Sequence, residues 1–102
     1  MSKKTEPATT SRPVSGIAIE KPDPKKLDSM KVTSWPIWEK ETSTFDWTYD
    51  EREQCYFLDG EVTVKTKDGE VSFGKGDFVT FPRGLSCTWN VKKPVRKHYR
   101  FG

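Results

Sequence analysis

A chain of 102 residues, 32% hydrophobic and 13% aromatic, is one domain's worth of sequence with enough apolar bulk for a core that needs no staples. Its 18 basic and 15 acidic residues leave a formal net charge of +3 and are well mixed, without the concentrated basic stripe of a nucleic-acid binder. No apolar run could cross a membrane or form a signal peptide, and two cysteines are too few for a disulfide scaffold.

Met1 to Ser15 is rich in Lys, Thr, Ser and Pro and nearly free of apolar residues. Such a segment cannot offset its ordering entropy, so a disordered tail is expected over 1–15 and the folded domain over 16–102. The expected compartment is the cytoplasm, or a plastid if the tail is the remnant of a processed targeting peptide.

Order is expected to begin with a short strand over 14–19. Asp23 is then a good N-cap, and Pro24 stands at the first helical position, where its missing N–H costs nothing. One short helix is expected near 24–30, docked through Leu27 and Met30. The rest reads as β. Residues 35–41 suit an edge strand, and 44–49 alternate aromatic and polar residues. A strand over 54–58 is followed by a turn at Asp59-Gly60 and a strand over 61–67. Asp68-Gly69 is the strongest hairpin signal, answered by 70–73. Further strands are expected over 78–82, 85–91 and 95–101. Short strands at regular spacing with turn residues between them argue for an all-β sandwich or barrel.

Side chains alternate faces along a strand. Trp47 and Tyr49 therefore share a face, as do Glu53, Cys55 and Phe57, and as do Leu85, Cys87 and Trp89. A small barrel has room inside for side chains or one small ligand. A carboxylate aimed into it would need a cation or donors to meet it: Tyr49, a tryptophan N–H, or an inward Lys or Arg. On the last strand, Val95, Lys97, Tyr99 and Phe101 take one face and Arg96, His98 and Arg100 the other. If Tyr99 and Phe101 look inward, His98 looks outward. In the opposite register His98 becomes the best proton carrier. Cys55 and Cys87 read most simply as small buried hydrophobes, and they could form a disulfide if their Cα atoms lie within about 7 Å.

Two spaced patterns carry a family resemblance. Glu53 precedes Gly60 by six intervening residues. Gly76 is followed by five residues, then Pro82-Arg83-Gly84, two residues and Cys87. These resemble the two motifs of the cupin superfamily, with the first pair of histidines missing and cysteine in place of the last histidine. Trp35-Pro36-Ile37-Trp38, Glu53-Gln54-Cys55-Tyr56 and Lys97-His98-Tyr99 are similar to small stand-alone cupins of the (S)-ureidoglycine aminohydrolase-like group.

The resemblance implies a conical jelly-roll barrel of two antiparallel sheets and a homodimer. It also implies a divalent metal held by histidines and the glutamate. Position by position, only Glu53 is retained. Trp47 and Tyr49, or Asp46 and Thr48 with the other spacing, stand at the first two histidine positions, and Cys87 at the last. The implied metal site is therefore degenerate, with Glu53 and Cys87 as its remaining candidate ligands. The expected ligand is a small polar metabolite, held by Trp47, Tyr49, Glu53, Cys55, Cys87 and Trp89. If there is catalysis, Glu53 is its acid or base, with Tyr49 and Cys87 orienting the substrate. The alternative is a non-catalytic structural or protein-interaction subunit.

Overall fold

The computed structural model describes residues 14–102; the expected tail lies outside the described residues except for Val14 and Ser15. Those two are already fastened to the domain. Val14 bridges Ile17, and the Ser15 hydroxyl meets Thr66 and Asp68.

Seven strands, one α-helix and one 3-10 turn follow. They are β1 (Ala18–Glu20), α1 (Pro24–Met30), a 3-10 turn (Val32–Ser34), β2 (Ile37–Lys40), β3 (Ser43–Thr48), β4 (Glu53–Thr66), β5 (Gly69–Gly74), β6 (Phe78–Phe81) and β7 (Ser86–Phe101). The helix starts as its sequence dictates: the Asp23 carboxylate accepts from the Lys26 N–H at 2.9 Å, with Pro24 just inside. No helix among the described residues is long and apolar enough to cross a membrane.

All strand pairs are antiparallel, and the main path runs β1-β6-β4-β7-β2, with β3 on β7 and β5 on β4. The architecture is the all-β antiparallel jelly roll expected of a cupin. Its two layers are joined by two long bent strands. β4 and β7 run through both, pairing from Glu53↔Phe101 to Lys65↔Thr88 with register shifts between Phe57 and Val62. The Asp59-Gly60 pair is therefore a bulge within one strand. The extra residue re-aims the side chains: Cys55 and Phe57 face inward before it, and Val62 and Val64 after it. The Asp68-Gly69 signal does mark a hairpin, since Thr66 pairs with Gly69.

The main core lies between the layers and centres on Trp89, which packs on Trp38, Phe45, Phe57, Phe73 and Phe81. A smaller cluster of Val32, Trp35 and Phe78, joined by Leu27, Met30 and Tyr56, seats α1 and the 3-10 turn on the outside of the sheet. There the buried His98 points its Nδ1 at the Trp35 carbonyl at 2.9 Å. A carbonyl only accepts, so this nitrogen carries a proton. His98 thus fastens the N-terminal segment and takes no part in the interior.

Candidate functional site

With His98 facing outward, its neighbour Lys97 faces inward, and this decides the chemistry of the interior. Lys97 stands opposite Phe57 in the β4–β7 register. Its stem runs along the inner face past Cys55 to Glu53. Nζ donates to Glu53 Oε2 at 3.2 Å and to Cys55 Sγ at 3.3 Å. Both charged side chains are nearly inaccessible, at 5% and 6% exposure. Nζ also lies 4.8 Å from the ring centres of Trp38 and Trp89 and 5.7 Å from that of Phe57. A desolvated ammonium among three aromatic faces gains a cation–π attraction from each.

This group forms the floor of a cavity of about 550 Å³, a size suited to one small molecule. Trp38, Phe45 and Trp89 form one wall; Trp47, Tyr49, Tyr99 and Phe101 line the rest, and Lys40 and Asp46 add charge. Trp47 and Phe101 are about half exposed. β3 supplies Phe45 and Trp47 by strand alternation, and Tyr49, just beyond its end, continues the series and stacks on Phe81 at 4.8 Å.

Of the residues singled out from sequence, Trp47, Tyr49, Glu53 and Trp89 come together at this cavity. Cys55 lies directly behind the Lys97 ammonium. Cys87 does not line the cavity. It is buried in the main core cluster with Tyr49, Leu85 and Trp89, and its Sγ lies 3.7 Å from the Trp47 carbonyl. The β3–β7 register pairs Cys87 directly with Trp47 and so sets the two side chains on one face of the sheet. Both cysteines are free thiols.

The side chains present do not fit a divalent metal. No group of three or more His, Cys, Asp or Glu side chains converges among the described residues. Glu53, the one retained ligand of the family pattern, already has a cation: the Lys97 ammonium. Asp46 and Thr48, the alternative replacements, bond to Thr88 and Ser86 on β7.

Two donors at this floor lack a partner among the described residues. An ammonium has three N–H groups, and Glu53 and Cys55 use two. The buried Trp89 Nε1–H has no hydrogen-bond partner either. Its indole lies close enough to Tyr49 and Cys87 to favour their ionised forms, without reaching hydrogen-bond geometry with either.

Burial raises the pKa of all three nearby acids. It pushes Cys87 up to about 11 from an ordinary 9.0, with Asp46 adding to the rise. Burial raises Cys55 further, although the Lys97 charge opposes it, and raises Tyr49 most, reinforced by Glu53 and the two thiols. These groups are neutral at physiological pH. A thiol that holds its proton more tightly folded than unfolded stabilises the fold fully below the unfolded pKa. That stability is lost as pH rises through the folded value. Urea unfolding is expected to show a decline in stability from pH 9 to 11 that is shallower in Cys87→Ala. An unchanged slope in that variant would contradict the assignment.

Residues 27–99 match the EutQ-like cupin domain family. The chain belongs to that family. It is 56% identical to a DUF861-family protein from Thermotoga maritima, with a TM-score of 0.83 over 84% of this chain and 99% of that one. The Clostridium difficile EutQ protein is 22% identical, with a TM-score of 0.57 over 81% of this chain and 49% of that one. A protein of unknown function from Rhizobium leguminosarum is 16% identical, with a TM-score of 0.58 over 99% of this chain and 95% of that one. The last two share the fold alone. No curated protein matches the chain.

Lys97 is the residue that sequence reasoning passed over. Its signal was the alternation that sets it on the face of Val95, Tyr99 and Phe101. Burial of Glu53 called for a cation or donors to meet it, an inward Lys or Arg among them.

Proposed function

We propose that this cupin binds one small polar metabolite in the aromatic cavity, with the Lys97 ammonium serving as the cation that a metal supplies in other cupins. The observation that carries this reading is the buried Lys97–Glu53 contact at 3.2 Å on the cavity floor. The unused ammonium N–H would meet a carbonyl or carboxylate oxygen of the ligand, and Trp38, Phe45 and Trp47 would flank a flat body. A base, Glu53, and a polarising donor, Lys97, lie side by side, as proton-transfer chemistry on a carbonyl compound requires. The ammonia-releasing hydrolysis implied by the aminohydrolase resemblance uses a bound metal, for which these donors make no site, so the proposal does not extend to it.

The surface favours this reading over a purely structural or protein-binding subunit. Among the described residues three large apolar side chains are exposed, Ile37, Trp47 and Phe101, and two of these line the cavity.

Benzoate, a flat ring carrying one carboxylate, is a suitable probe. It is expected to raise the Tm of protein purified without added metal, and to do so equally after chelation. The shift should be lost in Lys97→Met. Elemental analysis should find metal well below stoichiometric. A stoichiometric metal whose removal abolishes benzoate binding would overturn the reading.

A further inference from the structure

The Lys97 amine has surroundings that go beyond holding a ligand by charge. It ends a cavity large enough for a small molecule. A carboxylate lies within proton-transfer distance at 3.2 Å. The thiol at 3.3 Å is neutral, so it adds no competing charge. Three aromatic rings surround the nitrogen and keep bulk water away. Resting on the binding reading above, we propose that Lys97 is a covalent site: its Nζ condenses with an aldehyde or ketone in the cavity to form a protonated imine, with Glu53 as the proton shuttle.

The steps balance within this pair. Glu53 takes one proton from the ammonium, and the freed nitrogen lone pair bonds to the carbonyl carbon. The C=O π pair moves to oxygen, which takes the proton held by Glu53 and gives a carbinolamine with a cationic nitrogen. Glu53 then removes a second proton from that nitrogen and delivers it to the hydroxyl. The C–O bond breaks, water leaves, and the nitrogen pair closes the C=N bond. The net change is carbonyl compound plus ammonium giving iminium plus water, and Glu53 ends ionised as it began.

The site favours this product for a stated reason. An iminium carries the same single positive charge in the same place as the ammonium. The contacts with Trp38, Trp89, Phe57 and the Glu53 carboxylate therefore survive the reaction. The direct Nζ to Oε2 contact at 3.2 Å gives the proton a one-step path. The ligand class follows: a small aldehyde or ketone with a flat apolar substituent to lie among Trp38, Phe45 and Trp47.

Reductive trapping tests this. The full chain is incubated with benzaldehyde, or in a second arm pyruvate, with cyanoborohydride, and labelled lysines are mapped by peptide mass spectrometry. The native protein is expected to label Lys97 about tenfold or more faster than the urea-unfolded chain does, through local effective concentration. Lys40, exposed at the same cavity, is the internal control and should label at the rate of other surface lysines. Glu53→Gln should slow the Lys97 reaction and leave Lys40 unaffected. Faster trapping by benzaldehyde than by pyruvate would assign the flat apolar class; the reverse would assign 2-oxo acids. A buried structural lysine behaves oppositely, labelling more slowly folded than unfolded, and that result in both arms would overturn the proposal. Benzoate binding that still depends on Lys97 would then show that the non-covalent reading stands without it.

Discussion

Replacing Lys97 with methionine is expected to cost about 3–5 kcal/mol near neutral pH, the usual penalty for stranding one member of a buried ion pair. Methionine fills the channel past Cys55 and keeps contact with Trp38 and Trp89. It leaves the Glu53 carboxylate, 5% exposed, without a cation. Glu53→Gln should cost somewhat less, since its amide oxygen can still accept from Nζ. The double variant Lys97→Met with Glu53→Gln should recover most of the loss, because no uncompensated charge then remains. Urea unfolding of the four proteins gives the coupling directly. If the single Lys97→Met change costs under about 1 kcal/mol, the pair is wetter than its geometry indicates and the cavity has no ionic floor.

The recovery in the double variant has a functional consequence. Buried ion pairs rarely outperform apolar groups of the same volume. This core already holds the aromatic cluster around Trp89, and an apolar side chain at position 97 would extend it. Stability alone therefore gives no account of an ammonium there. Cavity chemistry does: the charge meets a ligand, and the carboxylate beside it holds or moves a proton. The double variant is expected to be folded and unable to bind benzoate, which separates the two roles.

The fold was legible because its signals are local. Asp23-Pro24 starts the helix, Asp68-Gly69 turns the hairpin, and Gly76 to Gly84 carries the spacing that resembles a family motif. Each works within a few residues and needs no knowledge of distant strands. The site is non-local. Glu53 and Lys97 lie 44 positions apart, and their meeting depends on the pairing of β4 with β7. Alternation put Lys97 and His98 on opposite faces but could not say which face was inside. The placement of Trp35 over the outer face settles it, by burying His98 from outside. Cys87 shows the complementary limit. A motif spacing gave its position on β7, but the neighbour it meets is set by β3. The Asp59-Gly60 pair carries the composition of a turn, yet serves as a bulge because β7 pairs with both sides of it.

That bulge supports the second large expected effect. Gly60→Ala should destabilise the fold by about 2–5 kcal/mol, combining a disfavoured backbone conformation with overpacking. Gly60 has φ of +113°, where a side chain is strained. An added Cβ would lie 2.8 Å from the Pro94 carbonyl oxygen, the Val95 Cα and the Val95 Cγ2. Two of these three are backbone atoms of the facing strand, so a rotamer change cannot relieve the clash; β4 and β7 must separate. They are the strands whose closeness brings Glu53 to Lys97, so separation should also weaken benzoate binding, although Gly60 does not line the cavity. Gly76→Ala is the matched control: φ is +89°, but nothing lies within 4 Å of an added Cβ. It should cost only the backbone strain, about 1–3 kcal/mol, and leave ligand affinity unchanged. Equal losses of stability in the two variants, with binding intact in both, would mean that β4 and β7 can part at the bulge without disturbing the ion pair.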